Sequence, residues 1–123
     1  MSEMPWSQYD QAYKRIYYAI LPPNRAVKIE IDLSVERSGK SLVEEGLLPP
    51  EKTFLYLTVL KKGDGNWSFK MVFDDGSSIE YSSDELADGY LMERRFVDIL
   101  FSNAAQSGVT NPKFLIEWIE EVM

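Results

Sequence analysis

Among its 123 residues the chain has no cysteine and no histidine, and each absence excludes whole classes of chemistry. Without cysteine there is no disulfide framework, no thiolate zinc site and no cysteine nucleophile. Without histidine the Ser-His-Asp arrangement, the usual near-neutral general base and every imidazole metal site are missing. Acid-base work is left to carboxylates, lysines, arginines, tyrosines and hydroxyls. No apolar run approaches the roughly 18 residues that a spanning helix requires. Residues 1–6 show no basic start, apolar core or small-residue cleavage site. The expectation is a cytoplasmic protein with no membrane association.

What is present suits one domain over residues 1–123. The composition is 45% hydrophobic and 13% aromatic, enough apolar surface to offset a chain entropy of roughly 1–2 kcal/mol per residue. The net charge of −7 is unevenly placed. Residues 1–73 carry 10 basic and 9 acidic side chains, whereas residues 74–123 carry 3 basic and 11 acidic. This argues against nucleic acid as a partner, since phosphate binding needs a surplus of Lys and Arg. A protein with a basic surface fits better.

Trp6, Tyr9, Tyr13, Ile16, Tyr17 and Ile20 recur at spacings of three and four, which predicts a helix ended by Pro22 and Pro23. From Ala26 to Glu36 the pattern changes to strict alternation. Val27, Ile29, Ile31, Leu33 and Val35 take one face, and Lys28, Glu30, Asp32, Ser34 and Glu36 take the other, the signature of a half-buried strand. The connection from Arg37 to Lys52 is long for a loop and could hold a short helical turn at Ser41 to Glu45. Thr53 to Lys61 is apolar on both faces and reads as a central strand.

Lys62 to Asn66 reads as a glycine-containing hairpin loop into a strand at Trp67 to Phe73. Asp74 to Ser77 reads as a tight turn into Ser78 to Tyr81. Ser82 and Glu85 have the spacing of a capping box, predicting helical structure from there, with a longer helix at Tyr90 to Gln106 stopped by Gly108. Asn111 and Pro112 would open a last helix whose Leu115, Trp118, Ile119 and Val122 share a face. The expected fold class is α+β: an amino-terminal helix, a four-stranded, mainly antiparallel meander, and carboxy-terminal helices packed on one face.

Local motifs give little specific chemistry. Ser34 to Ser41 ends in the Gly-Lys-Ser of a phosphate-binding loop, but Ser34 replaces the first glycine and no adequate helix follows. The acids Asp74, Asp75, Glu80, Asp84, Glu85 and Asp88 lie within fifteen residues. They do not fit an EF-hand loop, and turn and helix-end roles explain most of them. Tyr9, Tyr13 and Tyr17 read as a core-facing stripe, with Tyr18 off its face. No cofactor and no metal site is expected.

The reading that follows is a non-catalytic protein-binding module, such as a small inhibitor or immunity-type protein. It would bind a basic partner through Asp74, Asp75, Asp84, Glu85 and Asp88, through Glu30 and Asp32 on the polar face of the first strand, or through both. A homodimer is compatible with it. The alternative is a small-ligand-binding or carboxylate-dependent enzyme domain with a pocket between sheet and helices. An enclosed pocket with converging polar groups would favour the latter.

Overall fold

The structure is a computed structural model that describes residues 23–120. The helix expected over residues 6–20 lies outside the described residues. Within them the chain forms seven strands and no helix. These are β1 (Arg25–Glu30), β2 (Arg37–Ser41), β3 (Phe54–Lys61), β4 (Ser68–Phe73), β5 (Ser78–Ser82), β6 (Leu91–Asn103) and β7 (Lys113–Trp118). All pairings are antiparallel, in a single sheet of order β1-β7-β3-β6-β4-β5, with β2 on β6. The α+β expectation is therefore corrected to all-β, and the four strands become seven.

The two stretches read as helices are the longest strand, β6, and an interior strand, β7, that is paired on both sides. In β6 the buried residues Met92, Phe96 and Ile99 stand four and three apart, which is helical spacing. Two irregularities produce it. Against β3, the three steps from Phe96 to Glu93 oppose the two from Phe54 to Tyr56; against β4, Val97 is left over between Phe96 and Asp98. Such bulges reset the alternation. Arg94, which plain alternation would bury between Met92 and Phe96, is exposed, with its guanidinium 5.3 Å from the centre of the Phe73 ring.

In β7 the buried face is Phe114, Ile116 and Trp118, an alternating set. Trp118 is in the core, as its apolar size requires, but Leu115 and Ile119 are only half-buried. β7 pairs with β1 on one side and β3 on the other. β3 is central, between β7 and β6.

The expected meander is only partly formed. β4 and β5 make the hairpin across Asp74 to Ser77, where Phe73 N donates to Ser77 O (2.8 Å) and Gly76 takes a φ of 88°. β3 and β4 are not neighbours, because β6 runs between them. The Lys62 to Asn66 segment is thus a crossing loop and not a hairpin.

The alternation from Val27 continues past the end of β1, with Ile31 and Leu33 fully buried, but Val35 is 52% exposed. A turn breaks the period there. Asp32 Oδ1 accepts from Ser34 N (3.0 Å) and Ser34 Oγ (2.7 Å), and Val35 N donates back to Asp32 O (3.3 Å). The Arg37 to Lys52 connection contains β2, followed by a single α-type turn closed by Glu45 N on Ser41 O (3.1 Å).

β6 organises the sheet. Phe96 registers with Phe54 of β3 on one edge and Phe73 of β4 on the other, while β2 extends the β3 edge. The sheet then folds over on itself. Phe114 of β7 lies 5.3 Å from Trp67 and 5.9 Å from Phe69, both edge-on, although β3 and β6 separate β7 from β4 in the strand order. Trp67, Phe69 and Phe101 stack on each other. A second cluster joins Phe54, Phe96 and Trp118.

Candidate partner-binding surface

The fold sorts the seven candidate acids into separate places. Asp74 and Asp75 occupy the turn before β5, and Asp84 and Glu85 the turn after it, so four of them bracket one strand. Asp88 is farther along, its Oδ1 accepting from Lys62 N (2.8 Å). Glu30 on β1 faces Lys113 Nζ at 3.5 Å, both half-exposed, and Asp32 follows it. In the strand order β1 and β5 are opposite ends.

Each bracket is held by its own serine. Asp75 Oδ1 accepts from Ser77 N (2.9 Å) and Ser77 Oγ (2.6 Å). The Ser82 hydroxyl, with one proton to give, sits between Asp84 Oδ1 and Glu85 Oε1. Glu85 Oε1 also accepts from Ser82 N (2.9 Å). The capping-box contact expected of Ser82 and Glu85 is thus made, but it closes a turn and opens no helix. The serine hydroxyls hold Asp75 and Asp84 below the ordinary carboxylate value, and Ser34 does the same for Asp32. These acids stay ionised near neutral pH.

Between the brackets, β5 presents an edge that no other strand among the described residues pairs with. Phe73 N donates to Ser77 O, and Ser83 N to Trp67 O, each at 2.8 Å. The alternation of an antiparallel ladder between those two points turns the N–H and C=O groups of Ile79 and Tyr81 toward β4 and those of Ser78, Glu80 and Ser82 outward. Glu85 already occupies the outward Ser82 N–H. Among the described residues Ser78 and Glu80 are left open, and Ile79 between them is 36% exposed.

The other edges are chemically different. β1 carries Arg25 and Lys28, and β2 carries Arg37, Gly39 and Lys40 with a register shift between Arg37 and Lys40. Cations and bulges on an edge discourage strand addition. β5 has no cation, proline or bulge. Sequence reasoning found the acids but missed this edge, because which strand lies outermost depends on long-range pairing.

The Gly-Lys-Ser sequence is internal architecture. Gly39 N donates to Ser102 Oγ (2.8 Å), and the buried Ser41 hydroxyl donates to Asp98 Oδ2. Those donors are not available to a phosphate. A polar depression of about 340 Å³ lies beside them, lined by Ser38, Gly39, Ser68, Lys70, Glu80 and Ser102 among others. The expected pocket between sheet and helices has no helix to use among the described residues. Also among the described residues, no three carboxylates converge to hold a metal ion, and no helix is long and apolar enough to cross a membrane. No family model, curated protein or solved structure matches the chain.

Proposed function

We propose that the chain is a non-catalytic binding module whose β5 edge accepts an extended, basic segment of a protein partner as an added strand. The observation that carries this reading is the open backbone of Ser78 and Glu80 between two acidic turns. Backbone pairing at a sheet edge supplies affinity in this recognition mode, and alternate side chains supply selectivity. Here Asp74 and Asp75 at one end and Asp84 at the other favour Lys or Arg in the incoming strand. Glu80 does the same at the middle. Ile79 offers an apolar contact on the other face.

Complementary charge chiefly speeds encounter. The partner is to be captured from the native host by pull-down and identified by mass spectrometry. Its association is then measured with the wild type and with Asp74→Asn, Asp75→Asn and Asp84→Asn combined. Asparagine keeps the side-chain acceptor of each turn, so the change removes charge and not architecture. Association should slow about tenfold at low salt and converge with the wild type near 1 M, where the screening length falls to about 3 Å. Equal association rates at both salt levels would remove the acidic surface from the reading.

A further inference from the structure

The register of three strands explains the polar depression of about 340 Å³ beside β2. Phe69 of β4 and Phe101 of β6 are buried in the core, so their neighbours Ser68, Lys70, Leu100 and Ser102 point to the opposite face. Ser68 registers with Ser82 on one side and Ser102 on the other, and Lys70 registers with Glu80 and Leu100. A row of short hydroxyl side chains thus lies beside a row of longer ones, and the difference in height makes the hollow. Ser38 closes it from β2, across β6.

Lys70 and Glu80 stand directly opposite each other on this face with opposite charges, yet they form no ion pair with each other or with any other described residue. Ser102 Oγ accepts from Gly39 N (2.8 Å) and keeps its own proton to give. Ser38 and Ser68 add two further hydroxyls. The two charges decide which class of ligand fits. An anion such as phosphate gains Lys70 but is repelled by Glu80, a simple cation gains Glu80 but is repelled by Lys70, and a neutral sugar answers neither charge. A small molecule that carries an anion and a cation a few bonds apart answers both.

We propose that this depression binds a free α-amino acid with an aliphatic side chain, its carboxylate on Lys70 and its ammonium on Glu80. Directly opposed residues of an antiparallel pair have Cβ atoms about 4.5–5.5 Å apart, so the two flexible tips can bracket one small zwitterion. The Ser68 and Ser102 hydroxyls donate to the remaining carboxylate oxygen. Leu100, half-buried beside Lys70, supplies the apolar floor for the aliphatic group. The site uses side chains on the outer face of the sheet. Strand addition at β5 uses its backbone edge, so the two contacts are distinct although Glu80 belongs to both.

The test titrates the full chain, labelled with nitrogen-15, with L-leucine and follows the amide resonances of Ser68, Lys70, Glu80 and Ser102. They should shift together and saturate with a dissociation constant of about 1 mM. N-acetyl-L-leucine, which lacks the ammonium, and L-leucinamide, which lacks the carboxylate, should each bind about tenfold more weakly or worse. Lys70→Gln and Glu80→Gln should weaken L-leucine by a similar factor, and thermal melts check that both variants fold. The absence of saturable shifts at about 50 mM L-leucine overturns the proposal. So does equal binding of either blocked analogue, which would reduce the site to a single charge or to an apolar contact, and so does wild-type affinity in both variants. If a variant unfolds, the blocked analogues on the wild type decide. No protein partner is present in the titration, so a failure here leaves strand addition at β5 untouched.

Discussion

The Arg37 guanidinium meets the Glu45 carboxylate through two parallel bonds, Nε to Oε2 at 2.8 Å and Nη2 to Oε1 at 3.2 Å. Its remaining nitrogen, Nη1, donates to Asp32 O (2.7 Å) and Val35 O (3.2 Å). The Arg37 side chain is only 8% exposed. One side chain thus ties the turn after β1 to the turn after β2. Asn103 reinforces it by donating to Val35 O at 2.9 Å.

Arg37→Ala should therefore destabilise the fold by about 3 kcal/mol, since it strands a partly buried carboxylate and uncaps two carbonyls. Arg37→Lys should recover little, because an ammonium cannot reproduce the forked geometry. Urea unfolding of the three proteins gives the comparison. A lysine variant as stable as the wild type would show that charge alone matters there.

Gly63 should tolerate no side chain. A Cβ at that position would lie 2.2 Å from Thr110 O, and the backbone φ is 73°. The crossing loop approaches this closely because Thr110 N donates to Asp64 Oδ1 (2.6 Å). Gly63→Ala should cost at least about 2 kcal/mol. Gly46→Ala, at a φ of 81° with nothing near the added methyl, should cost about 1 kcal/mol from backbone strain alone. Equal losses in thermal melts of the two variants would contradict the close contact.

Much of the first half of the fold could be read from the residues: the alternation from Val27 to Leu33, the central strand at Phe54 to Lys61 and the Asp75-Gly76 hairpin all appear. The second half could not, for a specific reason. The bulges of β6 space Met92, Phe96 and Ile99 like a helix, and a bulge is set by the partners β3 and β4 and not by local preference. In β7, Phe114, Ile116 and Trp118 alternate, but half-buried Leu115 and Ile119 offered a competing helical series with Trp118. The acids were visible, whereas the open edge between them was not. Arg37 and Glu45, eight residues apart, carry no local pattern that marks them as a pair.

Acid should weaken the fold below about pH 5, as the pH approaches the ordinary Asp range near 4. Asp32, Asp75 and Asp84 have lowered pKa values, chiefly through the hydroxyls of Ser34, Ser77 and Ser82. Glu120 is lowered too, first by its hydrogen bond and ion pair with Lys52 and then by Arg25. A group whose folded pKa lies below its unfolded value stabilises the fold above the unfolded pKa, and that contribution disappears as pH falls through the folded one. Melting temperature should thus be flat from neutral pH down to about pH 5 and decline below it. Ser34→Ala, Ser77→Ala and Ser82→Ala combined should make the decline shallower. An equally steep decline in the triple variant would assign acid sensitivity elsewhere.

The β5 edge gives the most discriminating prediction, because neighbouring residues point their backbone groups in opposite directions. The Glu80 N–H faces outward, and the Ile79 N–H faces β4, where Ile79 registers with Met71. Proline removes one N–H and is tolerated at a strand edge when that N–H is unpaired. Glu80→Pro should leave the melting temperature within a few degrees of the wild type, whereas Ile79→Pro should cost about 3 kcal/mol through the lost ladder bond. If a partner strand pairs along β5, Glu80→Pro should also speed its dissociation about tenfold, since the docked complex loses a backbone bond. Glu80→Gln separates charge from pairing: it keeps the N–H and removes the carboxylate, so it should slow association and leave dissociation nearly unchanged. Surface plasmon resonance with the captured partner reads both rates. Wild-type dissociation from the folded Glu80→Pro variant would exclude strand addition at this edge, even if the salt dependence of association survived.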